Sequence, residues 1–461
     1  MSTEATNREA AVALAEALGN LPLALEQAAA YTAQTGLSLA EYLALFRERA
    51  ARYTPPASPS AVYPEALVVT FEIAFARLRE DSPAAADLLN LCAFLAPDDV
   101  PLEIFKEAAA KTGAEATPAE ALASAAATLQ TYALAKVRGG SFLSMHRLTQ
   151  AVARDRLGDE ESKSWAGAAV TLMATAFPFS PEDTRTWPPS ARLLQHALTA
   201  AEYARVKGVA GDLTALLLNS AGMYLHKNAK LAEARAAFEK SIELSEKLLG
   251  PANPGLAVLL DNVSQTLMLQ GNLDEAADYL KRALAIDEAA LGPEHANVAV
   301  RLNNIGEVLR ARGAYDDARS HYERAVTIFE AAFGHTHGYL ASAINNIGLI
   351  LYAQGDPKGA CAYYERALKI YEEVYGDNHP NVAIALTNLG AALLSLDEVA
   401  AARQHLERAL SIFRNHFGDN HPWTLNVNLR LEELDKLAAG GPSPEEAATA
   451  AAEDETSEAG Q

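Results

Sequence analysis

The side chains most able to do recognition chemistry are amides that return at a fixed interval. Asn219, Asp261, Asn303, Asn345 and Thr387 stand 42 residues apart, and Asn262, Asn304, Asn346 and Asn388 follow them by one position. An Asn amide carries both donors and an acceptor, so a row of them suits an extended peptide backbone whatever its sequence. The same amides could instead bond to the neighbouring repeat and hold a stack together. Asn is a poor residue for the middle of a helix, so its recurrence requires one compensation or the other.

Covalent and metal chemistry has little support. Cys92 and Cys361 fall in different expected domains, so no structural disulfide is expected, a reducing compartment fits, and a small core residue is the expected role of each. His295, His337, His379 and His421 recur with the same period, which spaces them too widely for one metal ion and makes them loop or cap residues. His335 and His337 form an isolated H-x-H pair. No Gly-x-x-x-x-Gly-Lys-Ser/Thr loop occurs, so nothing in this chain cradles nucleotide phosphates. No Ser/His/Asp, HExxH or paired-carboxylate arrangement can be read from spacing, and no enzyme activity is expected.

The elements that place the amides are repeats. Gly208, Gly250, Gly292, Gly334, Gly376 and Gly418 lie 42 residues apart, the mark of a stacked helical array. Small residues recur at Gly222, Ser264, Gly306, Gly348 and Gly390, at Ala234, Ala276, Ala318, Ala360 and Ala402, and at Ser241, Ala283, Ala325, Ala367 and Ala409. Small columns let antiparallel helices approach closely. Four residues after each alanine of the second column comes a large residue: Phe238, Leu280, Tyr322, Tyr364 or Leu406. It shares that helix face and fills the gap. Asp-Asn-His-Pro at 377–380 and 419–422 reads as cap chemistry. The fifth unit has Leu396-Asp397 where Gly313 and Gly355 turn the chain, so a distorted turn is expected there.

The front half is rich in Ala, Leu and Glu, which favours helix. One patch differs: two short runs, Tyr132–Val137 and Ser141–Met145, flank Gly139-Gly140 and predict a β-hairpin. Ser82-Pro83 signals a helix start, and Thr117-Pro118-Ala119-Glu120 a capping box. Helices followed by a hairpin over 64–157 suggest a winged helix. Its candidate reading helix, 118–130, has no Lys or Arg, which argues against nucleic acid.

The units resemble tetratricopeptide repeats of the kinesin-light-chain type, on the phrase LNNIG at 302–306 and Tyr322-Glu323-Arg324-Ala325. The resemblance implies a right-handed α-solenoid of 42-residue repeats whose first helices line a concave groove. The groove set would be Asn219, Asp261, Asn262, Asn303, Asn304, Asn345, Asn346, Thr387 and Asn388, with Arg310, Lys227 and Tyr352 adding selectivity. The front half resembles bacterial NB-ARC/STAND ATPases, which are NLR-like, on GNLPLALEQAAAY at 19–31, LLNLCAFLAP at 88–97 and Met145-His146-Arg147-Leu148. Leu39–Arg49, Phe177-Pro178 through Trp187, and His196 continue in the same style. That resemblance implies a nucleotide contact at Pro22, toward adenine, and at His146, toward the phosphates. Arg147 departs from the Asp often found there.

The expected architecture is mainly α. Residues 1–53 form a helical remnant of the NB-ARC region, 54–63 a linker and 64–157 the winged helix. Connecting helices, a degenerate repeat, occupy 158–207. Five repeats and a capping helix fill 208–437, and a disordered acidic tail 438–461. The net charge of −21 disfavours nucleic acid and anionic membranes. No apolar run is long enough to span a bilayer and no signal peptide is evident, so the expected location is cytoplasmic. The resemblance implies the sensor portion of an NLR-like STAND signalling ATPase, with antiphage defence as its implied role. The implied partners are a peptide or protein ligand and, in the full-length protein, further copies of itself. No cofactor is expected in this chain; ADP or ATP would require the missing nucleotide-binding domain. The alternative is a constitutive interaction scaffold without nucleotide dependence.

Overall fold

A computed structural model of the chain describes residues 3–53, 64–106, 119–181 and 183–438. The linker 54–63, Thr117 and Pro118 of the capping box, and the tail from 439 lie outside the described residues. The chain forms two compact units that divide between Ala252 and Asn253.

The first unit begins with helices α1 (Thr3–Ala17), α2 (Pro22–Thr35) and α3 (Leu39–Arg52). Gly19 and Asn20 take φ of 63° and 55°, turning the chain sharply enough to set Pro22 at the first position of α2, where its missing N–H costs nothing. Ser38 and Glu41 cap α3 reciprocally. Next come α4 (Glu65–Asp81) and α5 (Pro83–Cys92), the latter capped by Ser82 as its sequence indicates. Strand β1 (Val100–Pro101), helix α6 (Ala119–Thr131), β2 (Lys136–Arg138), β3 (Phe142–Ser144) and α7 (Arg147–Arg156) complete this part.

The expected hairpin is present, with Gly139 and Gly140 both at positive φ, the requirement of a tight primed turn. The sheet has a third strand that patterning missed. β1 pairs antiparallel with β3, Val100 opposite Leu143, giving the order β1-β3-β2. Two residues are too short a run for alternation to register, and Pro101 fits because β1 is an edge. Leu143 of β3 is fully buried, and Leu89, Phe94, Leu95 and Tyr132 are buried as well. Gln150 donates to the carbonyls of Cys92 (2.9 Å) and Leu95 (3.1 Å), fixing α7 to the end of α5. Helices α8 (Asp159–Ala176) and α9 (Trp187–Lys207) lead to the first repeat, α10 (Gly211–Lys227) and α11 (Leu231–Leu249).

The second unit alternates first and second helices of four further repeats. These are α12 (Gly255–Leu269), α13 (Leu273–Leu291), α14 (Ala296–Ala311), α15 (Tyr315–Phe333), α16 (Gly338–Ala353), α17 (Pro357–Tyr375), α18 (Pro380–Leu394) and α19 (Val399–Phe417). A closing helix, α20 (Pro422–Ala438), follows. The small and large columns meet as their periodicity demands. A Cβ on Gly306 would stand 2.6 Å from the Tyr322 ring, and one on Gly348 2.6 Å from the Tyr364 ring. Both tyrosines are almost fully buried, so each glycine is a packing requirement.

The turn of the fifth unit corrects an expectation. Asp397 adopts φ of 61°, the geometry of Gly313 (76°) and Gly355 (82°), and Glu398 N–H reaches the Leu393 carbonyl as Ala314 N–H reaches that of Leu309. The turn is undistorted because Asp tolerates the left-handed region better than most side chains. Ala229 takes the same conformation in the first repeat.

Candidate functional site

Within the second unit the first helices of successive pairs touch one another directly, α14 against α16 and α16 against α18. Their contacts include a row of short amide bonds, each joining residues 43 apart. Asn304 Nδ2 donates to Asp261 Oδ1 (2.7 Å), Asn346 Nδ2 to Asn303 Oδ1 (3.1 Å) and Asn388 Nδ2 to Asn345 Oδ1 (3.0 Å). The Tyr352 hydroxyl meets Ser395 Oγ at 3.1 Å across the same interval. Second helices are bridged differently. Arg324 reaches Glu288 (2.8 Å), Arg366 reaches Glu330 and Arg408 reaches Glu372 (2.6 Å), pairs 36 apart made by two long side chains. Short rungs on one layer and long rungs on the other mean that these repeats fan apart. The first helices therefore lie on the inside of the curve.

The amide ladder thus has the stack-holding role, made side chain to side chain. Asn345 and Asn346 are buried, while Asn303, Asn304 and Asn388 are half-buried. Asn388 spends one of its two N–H groups on Asn345. Thr387 takes no part in the ladder and returns its hydroxyl to the Ala383 carbonyl at 2.7 Å. Asn262 is half-buried on α12. Asn219 lies in the first unit, where its amide reaches Met223 Sδ at 3.6 Å, and Lys227 is exposed at the end of α10. Tyr352 is the most exposed member of the expected set on the second unit's inner layer.

One junction of the ladder is ionic. Arg301 donates through Nε to Asp287 (3.0 Å) and lies 3.1 Å from Asp261, with all three side chains at least 91% buried. Asp261 is therefore committed inside the stack and is not presented to a ligand. Asn304 also donates to its Oδ1 (2.7 Å) and Gln265 to its Oδ2 (3.0 Å). Equivalent positions hold Ala343 and Ala385 for Arg301, and Phe329 and Phe413 for Asp287. The sequence signal was this departure from the column, three charges at one junction.

Glu307 was also missed, although it follows Asn303 by four residues on one helix face. It accepts from Asn303 (3.2 Å) and Asn346 (3.4 Å). Burial pushes its carboxyl above the ordinary carboxylate range, opposed by the neighbouring Arg310 and by those amides. Arg310 lies beside both Glu307 and the buried Tyr322 hydroxyl.

A second feature belongs to the first unit. A cleft of about 630 Å³ is lined by residues that include Leu23, Glu26, Asp98, Lys136, His146 and Thr149. His146 is exposed and caps α7, its Nδ1 accepting from Leu148 N–H at 3.1 Å, which leaves Nε2 outside that bond. Pro22 adjoins the cleft through Leu23 but does not line it. The charges are mixed: Lys136 and His146 suit phosphate oxygens, whereas Glu26 and Asp98 do not. Lys136 is within 3.7 Å of Glu26.

The periodic histidines are caps. His295, His337, His379 and His421 each accept through Nδ1 from the backbone N–H two residues on, at 3.1–3.3 Å. Cys92 and Cys361 are free and buried, and burial pushes the Cys92 thiol up to about 12. Among the described residues no His, Cys, Asp and Glu group is arranged for a metal, and no helix is long and apolar enough to cross a membrane.

Comparison with known proteins identifies the repeats. The tetratricopeptide repeat family matches residues 212–289, 262–331 and 339–415, and a domain of unknown function, DUF7779, matches 76–162. A nucleotide-binding leucine-rich repeat (NLR)-like protein of Hyaloscypha variabilis is 25% identical over 260 residues, covering 51% of this chain and 24% of its own length. The chain thus spans about a quarter of that relative. Among solved structures, BtubC (BKLC) of P. vanneervenii is similar at 22% identity and a TM-score of 0.41, over 52% of this chain and 93% of that one. A putative kinesin light chain with nearly identical TPR-like repeats, from Podosopora anserina, is similar at 18% identity and a TM-score of 0.37, over 43% and 95%. Residues 212–415 carry tetratricopeptide repeats, and about half of the chain is similar to an NLR-like protein.

Proposed function

We propose that this chain is the regulatory and sensing portion of an NLR-like signalling ATPase, taking a peptide or protein segment on the first-helix layer of residues 253–438. The observation that carries the reading is that layer itself. Close first helices form a strip on the inside of the curve in which Asn304 and Asn388 each keep one N–H outside the ladder bonds, with the exposed Tyr352 on the same layer. The tetratricopeptide match and the NLR-like relative support it. His146 and Lys136 would face the phosphates of ADP if a nucleotide-binding domain completed the cleft, and Pro22 would approach the base. Antiphage defence is the role the sequence resemblance suggests for such a sensor.

The test is capture from the source cell's lysate with the full chain, with and without ADP, against Tyr352→Asp. Tyr352 is exposed and shares none of the Asn–Asn bonds, its one rung being the hydroxyl contact with Ser395, and a thermal melt of the variant checks that the stack survives the change. A protein retained by the wild type and lost by the variant supports the reading, and equal retention overturns it. Retention that is lost in the variant but unchanged by ADP favours the second reading, a constitutive scaffold. The mixed charges lining the cleft favour that alternative.

A further inference from the structure

The two layers of the second unit differ most in charge. Helices α16 and α18 contain no Asp, Glu, Lys or Arg. On α12 the sole charged side chain is Asp261, sealed against Arg301. On α14 the remaining charges are Glu307 and Arg310, half-buried neighbours of opposite sign. Each of α13, α15, α17 and α19 carries several charges of both signs. A chain with a net charge of −21 therefore keeps the inner layer of α16 and α18 free of charge.

What the inner layer offers instead is apolar surface around the amides. Tyr352 on α16 is 38% exposed, and Val258 and Leu269 on α12 are 51% and 64% exposed. Leu349 and Ile384 are half-buried, Leu349 three residues after Asn346 and Ile384 four before Asn388, so each shares its amide's helix face.

We infer that the segment bound on this layer is uncharged where it crosses α16 and α18, an extended stretch of apolar and small polar residues. The inference rests on the groove reading and names its ligand. A carboxylate or ammonium laid there would shed its hydration and find no opposite charge in return. Glu307 and Arg310 belong to α14, outside the stretch lined by α16 and α18, and the Glu307 carboxylate already accepts from Asn303 and Asn346. An extended neutral backbone meets its needs at the amides, while alternate side chains settle against Leu349, Tyr352 and Ile384.

Random-sequence peptides displayed on phage, selected on the full chain and in parallel on Ile384→Asp and Tyr352→Asp, test this. Circular dichroism and a thermal melt of each variant establish that it is folded. The expected result is enrichment of peptides with no charge in their shared core, bound about tenfold more weakly by either variant. Their affinity should change little between about 50 and about 500 mM salt. Enriched peptides that are acidic or basic, salt-sensitive and still lost in the variants would overturn the inference and leave the groove standing. Enriched peptides indifferent to both variants, or no enrichment at all, would remove the groove reading together with it.

Discussion

The two layers of residues 253–438 solve one problem with opposite chemistry. Both join repeats spaced 42 residues apart. The inner layer uses short neutral amides packed among buried Ala and Leu, and the outer layer uses long Arg–Glu pairs in contact with water. Neutral hydrogen bonds sheltered from solvent are costly to leave unmade, whereas exposed ion pairs contribute little and are screened by salt. The comparison teaches that equal periodicity does not imply equal energetic weight. The inner rungs should set stability, and the outer rungs should set spacing.

The sharpest way to break that contrast is at the ionic junction of the inner layer. Arg301→Met leaves Asp261 and Asp287 buried and unpaired, and should cost about 3–5 kcal/mol in chemical unfolding of the full chain. Replacing all three with the residues of their sister columns, Arg301→Ala, Asp261→Asn and Asp287→Phe, should recover most of the loss. Failure of the triple variant to recover would show that this junction is not interchangeable with its neighbours.

Asn346→Ala tests the neutral rungs. It strips Asn303 of its partner and Glu307 of a donor, and should cost about 1–3 kcal/mol. By the same measurement Arg366→Ala, on the outer layer, should cost at most about 1 kcal/mol, and less still in high salt. Equal losses for the two would end the distinction between layers. The connecting turns give an effect of opposite sign: Asp397→Gly should stabilise by up to about 1 kcal/mol, because glycine occupies the left-handed region without strain.

The smallest effect is a pH slope. Burial raises the Glu307 carboxyl above its ordinary value of 4.5, so the folded state takes up its proton more readily than the unfolded chain. That contribution to stability is complete below pH 4.5 and is lost as pH rises through the folded value. Glu307→Gln should remove this slope while keeping the acceptor for Asn303 and Asn346. An unchanged pH dependence of the thermal midpoint would mean that Arg310 fully compensates the charge.

The repeat packing was legible because every unit restates it. The column of Gly306 and Gly348 and the column of Tyr322 and Tyr364 are the two sides of one contact, written out several times. What periodicity could not convey was the exception. Arg301 and Asp287 become meaningful only once they are adjacent in space, and Glu307 only once Asn346 is known to reach it. Strand β1 escaped because its partner lies more than 40 residues away and its own length gives no pattern. His146 offers no sequence sign that its Nδ1 is spent on capping α7, a bond set by the path of the chain after β3. The turn at Asp397 was misjudged because residue identity was weighed without the backbone bonds that hold it.

The unequal rungs also give the second unit a mechanical grain. Tyr352, Ser395 and the amides tie the inner edge along one line with bonds too short to stretch, while the Arg–Glu pairs opposite can lengthen through their many rotatable bonds. Bending then occurs about the amide line as a hinge axis, and ionic strength, which loosens only the outer pairs, acts as the control of stiffness.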